Sequence, residues 1–332
     1  MRKKKVLKIM SVFVLLLLLL YIIFIYFLVS ACLVPSFMER LDAFEEITVM
    51  SYAEQVQSTE ITEHHEKSIT DAQTLVNDAK SRKVSIQSED GYKLVAEEFL
   101  PEKDSEKWVM LLHGYTGWKE AMFPFAYWYY EQGYHVLVPD LRCQGESEGD
   151  FIGMGWTDHF DCERWIDYIL AQDADARIVL HGQSMGASTA LIMTGDENLS
   201  GHVEAVISDC AYTDAYSMFG DKITAWFSLP PFPFVDSACL MLRLRGGYDL
   251  KDASALEAVK KSRTPTLFIH GNEDALISVD MAYELYGAAV CEKELFIVEG
   301  AGHAQSQDAE PEKYYGKIQD FLKKNGMEGQ PD

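Results

Sequence analysis

Val179-Leu180-His181-Gly182-Gln183-Ser184-Met185-Gly186 sets a serine between two glycines, where a short apolar run gives way to the longer run Ala187 to Met193. A buried strand running into a helix through so tight a turn forces the serine into a strained backbone conformation. Glycine at positions 182 and 186 lets neighbouring backbone come close without a Cβ in the way. The serine hydroxyl is then lifted clear of the sheet edge at a helix N-terminus. With Gly and Ser each near ~7% of residues, a bare GxSxG turns up by chance in roughly one chain in ten of this length. Its weight comes from lying between a strand and a helix.

Reading outward, short apolar runs alternate with amphipathic stretches. Strands are predicted at 84–88, 92–99, 108–113, 135–140, 177–181, 203–208, 266–270 and 294–298, the first two joined by the turn Glu89-Asp90-Gly91. Helices are predicted at 119–132, 157–172, 185–194, 279–289 and 312–324. Such alternation implies an α/β fold, with a mostly parallel eight-stranded sheet and helices on both faces. The interval between the strands at 203–208 and 266–270 is too long for one crossover helix. It reads as a helical cap insertion at about 214–260, containing Trp226-Phe227-Ser228-Leu229-Pro230-Pro231-Phe232-Pro233-Phe234. These apolar side chains either line an acyl pocket above Ser184 or pack the cap onto the core.

A serine hydroxyl needs a base to take its proton, ordinarily a histidine held by a carboxylate. The chain has nine histidines. His64 and His65 fall in a polar stretch read as a solvated spacer, and His135 and His202 begin strands at the edge opposite Ser184. His113, His181 and His270 each end a strand and are committed to packing there, while His159 falls in a helix. His303, in the loop Gly300-Ala301-Gly302-His303 after the last strand, is the candidate base. Asp274, in His270-Gly271-Asn272-Glu273-Asp274, is the favoured acid, with Glu273 and Asp209 as substitutes.

The order Ser184, Asp274, His303 is that of the α/β-hydrolase fold. Leu111-Leu112-His113-Gly114-Tyr115-Thr116-Gly117 resembles that fold's HGxxG oxyanion loop. Asp140-Leu141-Arg142-Cys143-Gln144-Gly145-Glu146-Ser147 resembles its D-x-R-x-x-G-x-S segment. Among subfamilies the chain is most similar to the serine aminopeptidase-like and Bem46-like hydrolases, many of which carry an N-terminal membrane segment. The resemblance implies backbone N–H donors from Tyr115 and Met185 for an oxyanion. It also implies structural roles for Arg142 and Ser147. It points to a serine hydrolase of carboxylic esters, an aminopeptidase-like hydrolase of peptide or aminoacyl bonds, or a catalytically silent surface binding protein. No metal or organic cofactor is expected.

The N-terminus is of another kind. Arg2, Lys3, Lys4, Lys5 and Lys8 precede a stretch from Ile9 to Met38 without a charged side chain. About 20 apolar residues suffice to cross ~30 Å of hydrocarbon. The run is too long for the core of a cleaved signal peptide, and the basic residues put the N-terminus on the cytoplasmic side. Val29-Ser30-Ala31-Cys32 also resembles a lipobox, which would make Cys32 a lipidation site. The expected organisation is a basic tail at 1–8, a transmembrane anchor at 9–34, and a membrane-proximal helix and connector at 35–82. The hydrolase domain follows at 83–325 and a C-terminal tail at 326–332, giving a single-pass membrane protein with an extracytoplasmic hydrolase domain. A net charge of -23 argues against a nucleic-acid partner and leaves a small-molecule, acyl or peptide substrate. The five cysteines beyond Cys32 lack the paired spacing of a zinc site.

Overall fold

The structure is a computed structural model and describes residues 2–38, 58–103 and 105–327. The expected sheet is the sheet found. Its strands are β1 (Lys80–Gln87), β2 (Lys93–Leu100), β3 (Lys107–Leu112), β4 (His135–Pro139), β5 (Arg177–Gln183), β6 (Val203–Asp209), β7 (Thr266–Gly271) and β8 (Lys293–Val298). They lie in the order β1-β2-β4-β3-β5-β6-β7-β8. β2 pairs antiparallel with β1 and β4, and every pairing from β4 to β8 is parallel.

Both faces of the central strands are covered, which is why they read as unbroken apolar runs. Along β3, Trp108, Met110 and Leu112 enter one core cluster, while Val109 and Leu111 enter the other. The period-2 alternation of side chains thus feeds two cores from one strand.

The helices in chain order are α1 (Arg2–Leu33), α2 (Pro35–Met38), α3 (Thr59–Asp78), α4 (Phe123–Glu131), α5 (Trp156–Gln172) and α6 (Met185–Met193). There follow α7 (Ala215–Phe227), α8 (Pro231–Gly246), α9 (Ala255–Val259), α10 (Val279–Ala288), α11 (Ser306–Ala309) and α12 (Pro311–Lys324). The insertion after β6 forms α7, α8 and α9.

Two stretches differ from the sequence reading. Residues 60–66 are the first turns of the 20-residue helix α3, rather than a solvated spacer. Ser58 caps it by accepting from the Ile61 N–H (3.1 Å), and Leu75 buries itself in the core. His64 Nδ1 lies 2.7 Å from the Asp308 carbonyl oxygen and His65 Nδ1 lies 2.8 Å from Asp308 Oδ2, fixing the helix across α11. The helix expected through Phe37, Leu41 and Phe44 lies largely outside the described residues.

The second difference is α1. From Lys4 to Leu20 its side chains are exposed, but its last three turns are packed on the domain. Ile25, Val29 and Leu33 recur at i, i+4 and i+8 on one face, each only 2% exposed. Ile152 N–H donates to Leu33 O (2.9 Å) and the Tyr115 hydroxyl donates to Cys32 O. These carbonyls have no partner within the helix, so the domain caps its C-terminus.

A chain starting at residue 39 therefore loses three buried side chains, each contributing about 1.5–3 kcal/mol when fully buried. In one detergent, its thermal midpoint should fall at least ~5 °C below that of a chain starting at residue 21. Equal midpoints would mean that the docked turns add nothing to stability.

Candidate active site

Ser184 sits between β5 and α6 with φ 55° and ψ −116°. A Cβ at Gly182 would overlap the Gly186 carbonyl, and one at Gly186 would overlap the Leu112 carbonyl. The two glycines thus permit the close approach on which the turn depends. Ser184 N–H donates to Asp209 O (2.8 Å), tying the turn to the end of β6.

His303 reaches Ser184 from the loop between β8 and α11. That loop is clamped to the one after β7. Asn272 N–H donates to Val298 O (3.1 Å), Glu273 N–H to Ala301 O (3.0 Å), and Gly300 N–H to Asn272 Oδ1 (2.7 Å). The clamp brings His303 Nε2 within 2.9 Å of Ser184 Oγ and His303 Nδ1 within 2.7 Å of Asp274 Oδ2. An ionised carboxylate only accepts, so Nδ1 carries the proton and Nε2 offers its lone pair to the serine hydroxyl. Of the three acids considered, Asp274 is the one beside His303. Glu273 is exposed, and Asp209 accepts instead from Ser306 Oγ (3.0 Å) and the Tyr314 hydroxyl (3.1 Å).

Asp274 is held on both oxygens. Oδ1 accepts from Leu276 N–H (2.9 Å) and Ile277 N–H (2.7 Å). Oδ2 faces His303 and also His270 Nε2 at 3.2 Å. Burial raises its pKa, but the His303 charge and the hydrogen bonds from both histidines outweigh this and hold it below the usual carboxylate range. His270 Nε2 also lies 2.9 Å from Ile277 O. The sequence reading commits this residue to strand-end packing and misses its place beside the acid. The i, i+4 spacing of His270 and Asp274 across a strand-ending turn is the available signal.

On the other side of Ser184, a Cβ at Gly114 would meet the Ser184 Cβ at 3.4 Å, so the loop carrying Tyr115 lies against the serine. His113 fixes that loop, with Nδ1 2.8 Å from Gly114 O and Nε2 accepting from Leu141 N–H (2.9 Å). Met185 begins α6, where a backbone N–H has no partner within the helix. Arg142 is engaged elsewhere, with Asp161 (2.6 and 2.8 Å) and Asp90 (3.0 Å). Ser147 bridges Asp140 O (2.7 Å) and Val95 N–H (2.9 Å).

Two clefts flank the site. One of about 910 Å³ runs beneath α3 to Gln183 and Ala304, the neighbours of Ser184 and His303, with Lys83, Lys119, Glu146 and Asp308 in its wall. The other, about 60 Å³ and almost wholly apolar, lies between α1 and the cap. Phe227 borders it, whereas Phe232 is exposed and Phe234 lies against α1. The aromatic set expected to form one pocket is therefore divided among three surroundings.

Residues 109–315 match the alpha/beta hydrolase family, and the chain belongs to it. It is a hydrolase by that membership. Over 220 residues it is 29% identical to the uncharacterized protein YqkD of Bacillus subtilis, spanning 66% of this chain and 72% of that protein. It is 26% identical over 216 residues to the uncharacterized protein YfhR of Escherichia coli K12, spanning 63% and 68%. Among solved structures, the Pyrococcus furiosus esterase Pf2001 aligns with a TM-score of 0.62 at 23% identity, covering 76% of this chain and 93% of its own. A Pyrococcus horikoshii acylaminoacyl peptidase aligns with a TM-score of 0.58 at 19% identity, covering 78% and 44%. At these identities the structural likeness speaks for the fold.

Behind the site, Asp209, Tyr314, His181 and Tyr129 form a fully buried hydrogen-bonded line (3.1, 3.1 and 3.2 Å). Burial pushes the Asp209 carboxyl up to about 6, against the pull of Ser306 and the nearby histidines. An unfolded aspartate titrates near ~3.9. Between about pH 4 and 6 the unfolded state has thus lost a proton that the folded state keeps, and the stability due to Asp209 falls as pH rises through that window. Asp209→Asn stays neutral throughout. The wild-type minus variant difference in unfolding free energy from urea titrations should therefore decline from about pH 4 to 6 and then level off. A difference constant with pH would show that Asp209 titrates at its ordinary value.

Proposed function

We propose that this hydrolase is membrane-anchored and cleaves carboxylic esters through an acyl-enzyme, with Ser184 as nucleophile, His303 as base and Asp274 as the acid that orients it. The continuous hydrogen-bonded line from Ser184 Oγ through His303 to Asp274 carries the reading. Ser184 Oγ attacks the ester carbonyl carbon while its proton passes to His303 Nε2. The negative charge on the carbonyl oxygen is met by the N–H groups of Tyr115 and Met185, donors whose individual loss typically costs ~10²–10³ in rate. The imidazolium, stabilised by Asp274, returns the proton to the departing alkoxide as the C–O bond breaks. Water, deprotonated by His303, then attacks the acyl-enzyme, releasing the acid and restoring Ser184.

The apolar cleft supports an acyl group as the part held near the serine, and the esterase among the structural neighbours agrees. The larger, charged cleft at Gln183 and Ala304 favours a second reading, hydrolysis of peptide or aminoacyl bonds, as the acylaminoacyl peptidase name suggests for that protein. The HGxxG and D-x-R-x-x-G-x-S segments support a serine aminopeptidase-like or Bem46-like subtype. A silent binding protein would have no need of an intact Ser184, His303 and Asp274.

Ser184→Ala and His303→Ala should each abolish labelling by a fluorophosphonate probe and hydrolysis of p-nitrophenyl esters, with the circular dichroism spectrum unchanged. Asp274→Asn should lower turnover by ~10⁴ by favouring the wrong imidazole tautomer. A Ser184→Ala protein with most of its activity would refute the nucleophile. Faster turnover of aminoacyl-anilides than of esters would move the second reading ahead.

The N-terminal helix is long and apolar enough to cross a membrane, and its five leading basic residues support an inside N-terminus and an extracytoplasmic catalytic domain. Protease added to intact cells should digest that domain. Digestion only after lysis would reverse the orientation, and release of the protein by Cys32→Ala would favour lipid anchoring.

A further inference from the structure

The last turns of α1 and the cap share a face, and the depth of that face follows from counting. Lys8 is the last charge before the apolar run. About 20 helical residues cross the hydrocarbon, which takes a span starting at Ile9 to the vicinity of Leu28. Tyr21 and Phe24 then lie within it, and so does whatever packs on them. Tyr21 Oη shares a hydrogen bond with Ser237 Oγ (2.9 Å), and the Phe234 ring lies 5.9 Å from the Tyr21 ring and 6.1 Å from the Phe24 ring. The first turns of α8 are thereby carried to hydrocarbon depth.

The side chains of the cap suit that position. Phe227, Phe232, Leu240 and Leu244 are 59%, 73%, 56% and 76% exposed, an apolar surface that lipid would cover at no cost. The charges of α8 are turned elsewhere. Asp236 binds Lys251 (3.0 Å) and the Tyr216 hydroxyl (3.0 Å), and Arg243 pairs with Asp249. Arg245, at the far end of the helix, stacks 4.0 Å from the Tyr26 ring and donates to Ser30 Oγ (2.8 Å), a fitting place for a cation at headgroup level.

The apolar cleft lies where this surface meets α1. Leu28, Val29 and Cys32 form one wall, and Ile223, Phe227 and Val235 of the cap form the other. Its inner end is bracketed by both catalytic loops. Cys32 O accepts from the hydroxyl of Tyr115, whose neighbour Gly114 lies against Ser184. Lys222, also in the cleft wall, donates through Nζ to the carbonyl of Ala275, next to Asp274 (3.1 Å).

We propose that this cleft takes the acyl chain of an ester resident in the bilayer, so that the N-terminal helix is a wall of the substrate site as well as an anchor. The proposal rests on the reading of α1 as membrane-spanning and of Ser184 as the nucleophile. The chain enters past Phe227 between α1 and the cap, its carbonyl comes to Ser184 Oγ, and the alcohol part leaves through the polar cleft at Gln183 and Ala304.

The test uses the full chain reconstituted in phosphatidylcholine vesicles. With a trace of phosphatidylcholine bearing a diazirine in its acyl chain, photolysis should label peptides from 227–244 as well as α1. Label confined to α1 overturns the proposal, and label on neither overturns the membrane reading beneath it. In the same vesicles, Val29→Trp and Leu28→Trp, which fill the cleft, should each lower the ratio of dodecanoyl to acetyl p-nitrophenyl ester kcat/KM at least tenfold. A ratio unchanged in a variant that still labels with fluorophosphonate overturns the proposal. Wild-type protein that cleaves neither ester and takes no fluorophosphonate instead overturns the nucleophile reading, and the proposal with it.

Discussion

At Gly182 and Gly186 the backbone passes so close to its neighbours that no side chain fits. That approach sets where everything else in the site must stand. With Gly186 against the Leu112 carbonyl, α6 is pressed onto the end of β3, and Ser184 is forced to φ 55° with its hydroxyl off the sheet edge. The loop after β3 is brought against the serine by the same contact. The loops after β7 and β8 then have only to reach one fixed atom. They do so as a pair, joined by the hydrogen bonds of Asn272 and Glu273, so Asp274 and His303 are positioned together. The strain at Ser184 is stored in a sheet buried on both faces, a setting rigid enough to hold it.

The two clefts give the site a polarity. Ser184 and His303 stand between a wide, charged channel beneath α3 and a narrow, apolar one beneath the cap. A carbonyl compound with one apolar and one polar half fits such a boundary in a single orientation. Asp274, kept ionised by His303 and His270, supplies a fixed negative charge on the side of the histidine away from the serine. Charge separation in the reaction thus has a prepared counter-charge and needs little solvent rearrangement.

What the sequence disclosed depended on whether a signal was local. The eight strands were legible because burial on both faces leaves runs such as Trp108 to Leu112 without polar interruption. Ser184, Asp274 and His303 were legible because each follows a strand at the same sheet edge, next to glycines that mark the turns. What stayed hidden was pairing across distance. His64 and His65 find Asp308 more than 240 residues away, and nothing in their surroundings signals a partner. In α1, a docking face at Ile25, Val29 and Leu33 has no contrast, since the residues around it are apolar too. His270 was misread because burial and hydrogen bonding to an acid look alike from a strand end.

The docking of α1 has a mechanical consequence. A catalytic domain on a flexible stalk samples many orientations above a membrane. Here the helix and the cap share packed side chains, so the tilt of one is the tilt of the other. In a bilayer thinner or thicker than its apolar length, a helix tilts or draws the lipid to match, at a cost of fractions of a kcal/mol per Å of mismatch. Any such adjustment would swing the cap and the cleft mouth with it. Bilayer thickness thereby becomes a variable that acts on the catalytic edge without a ligand.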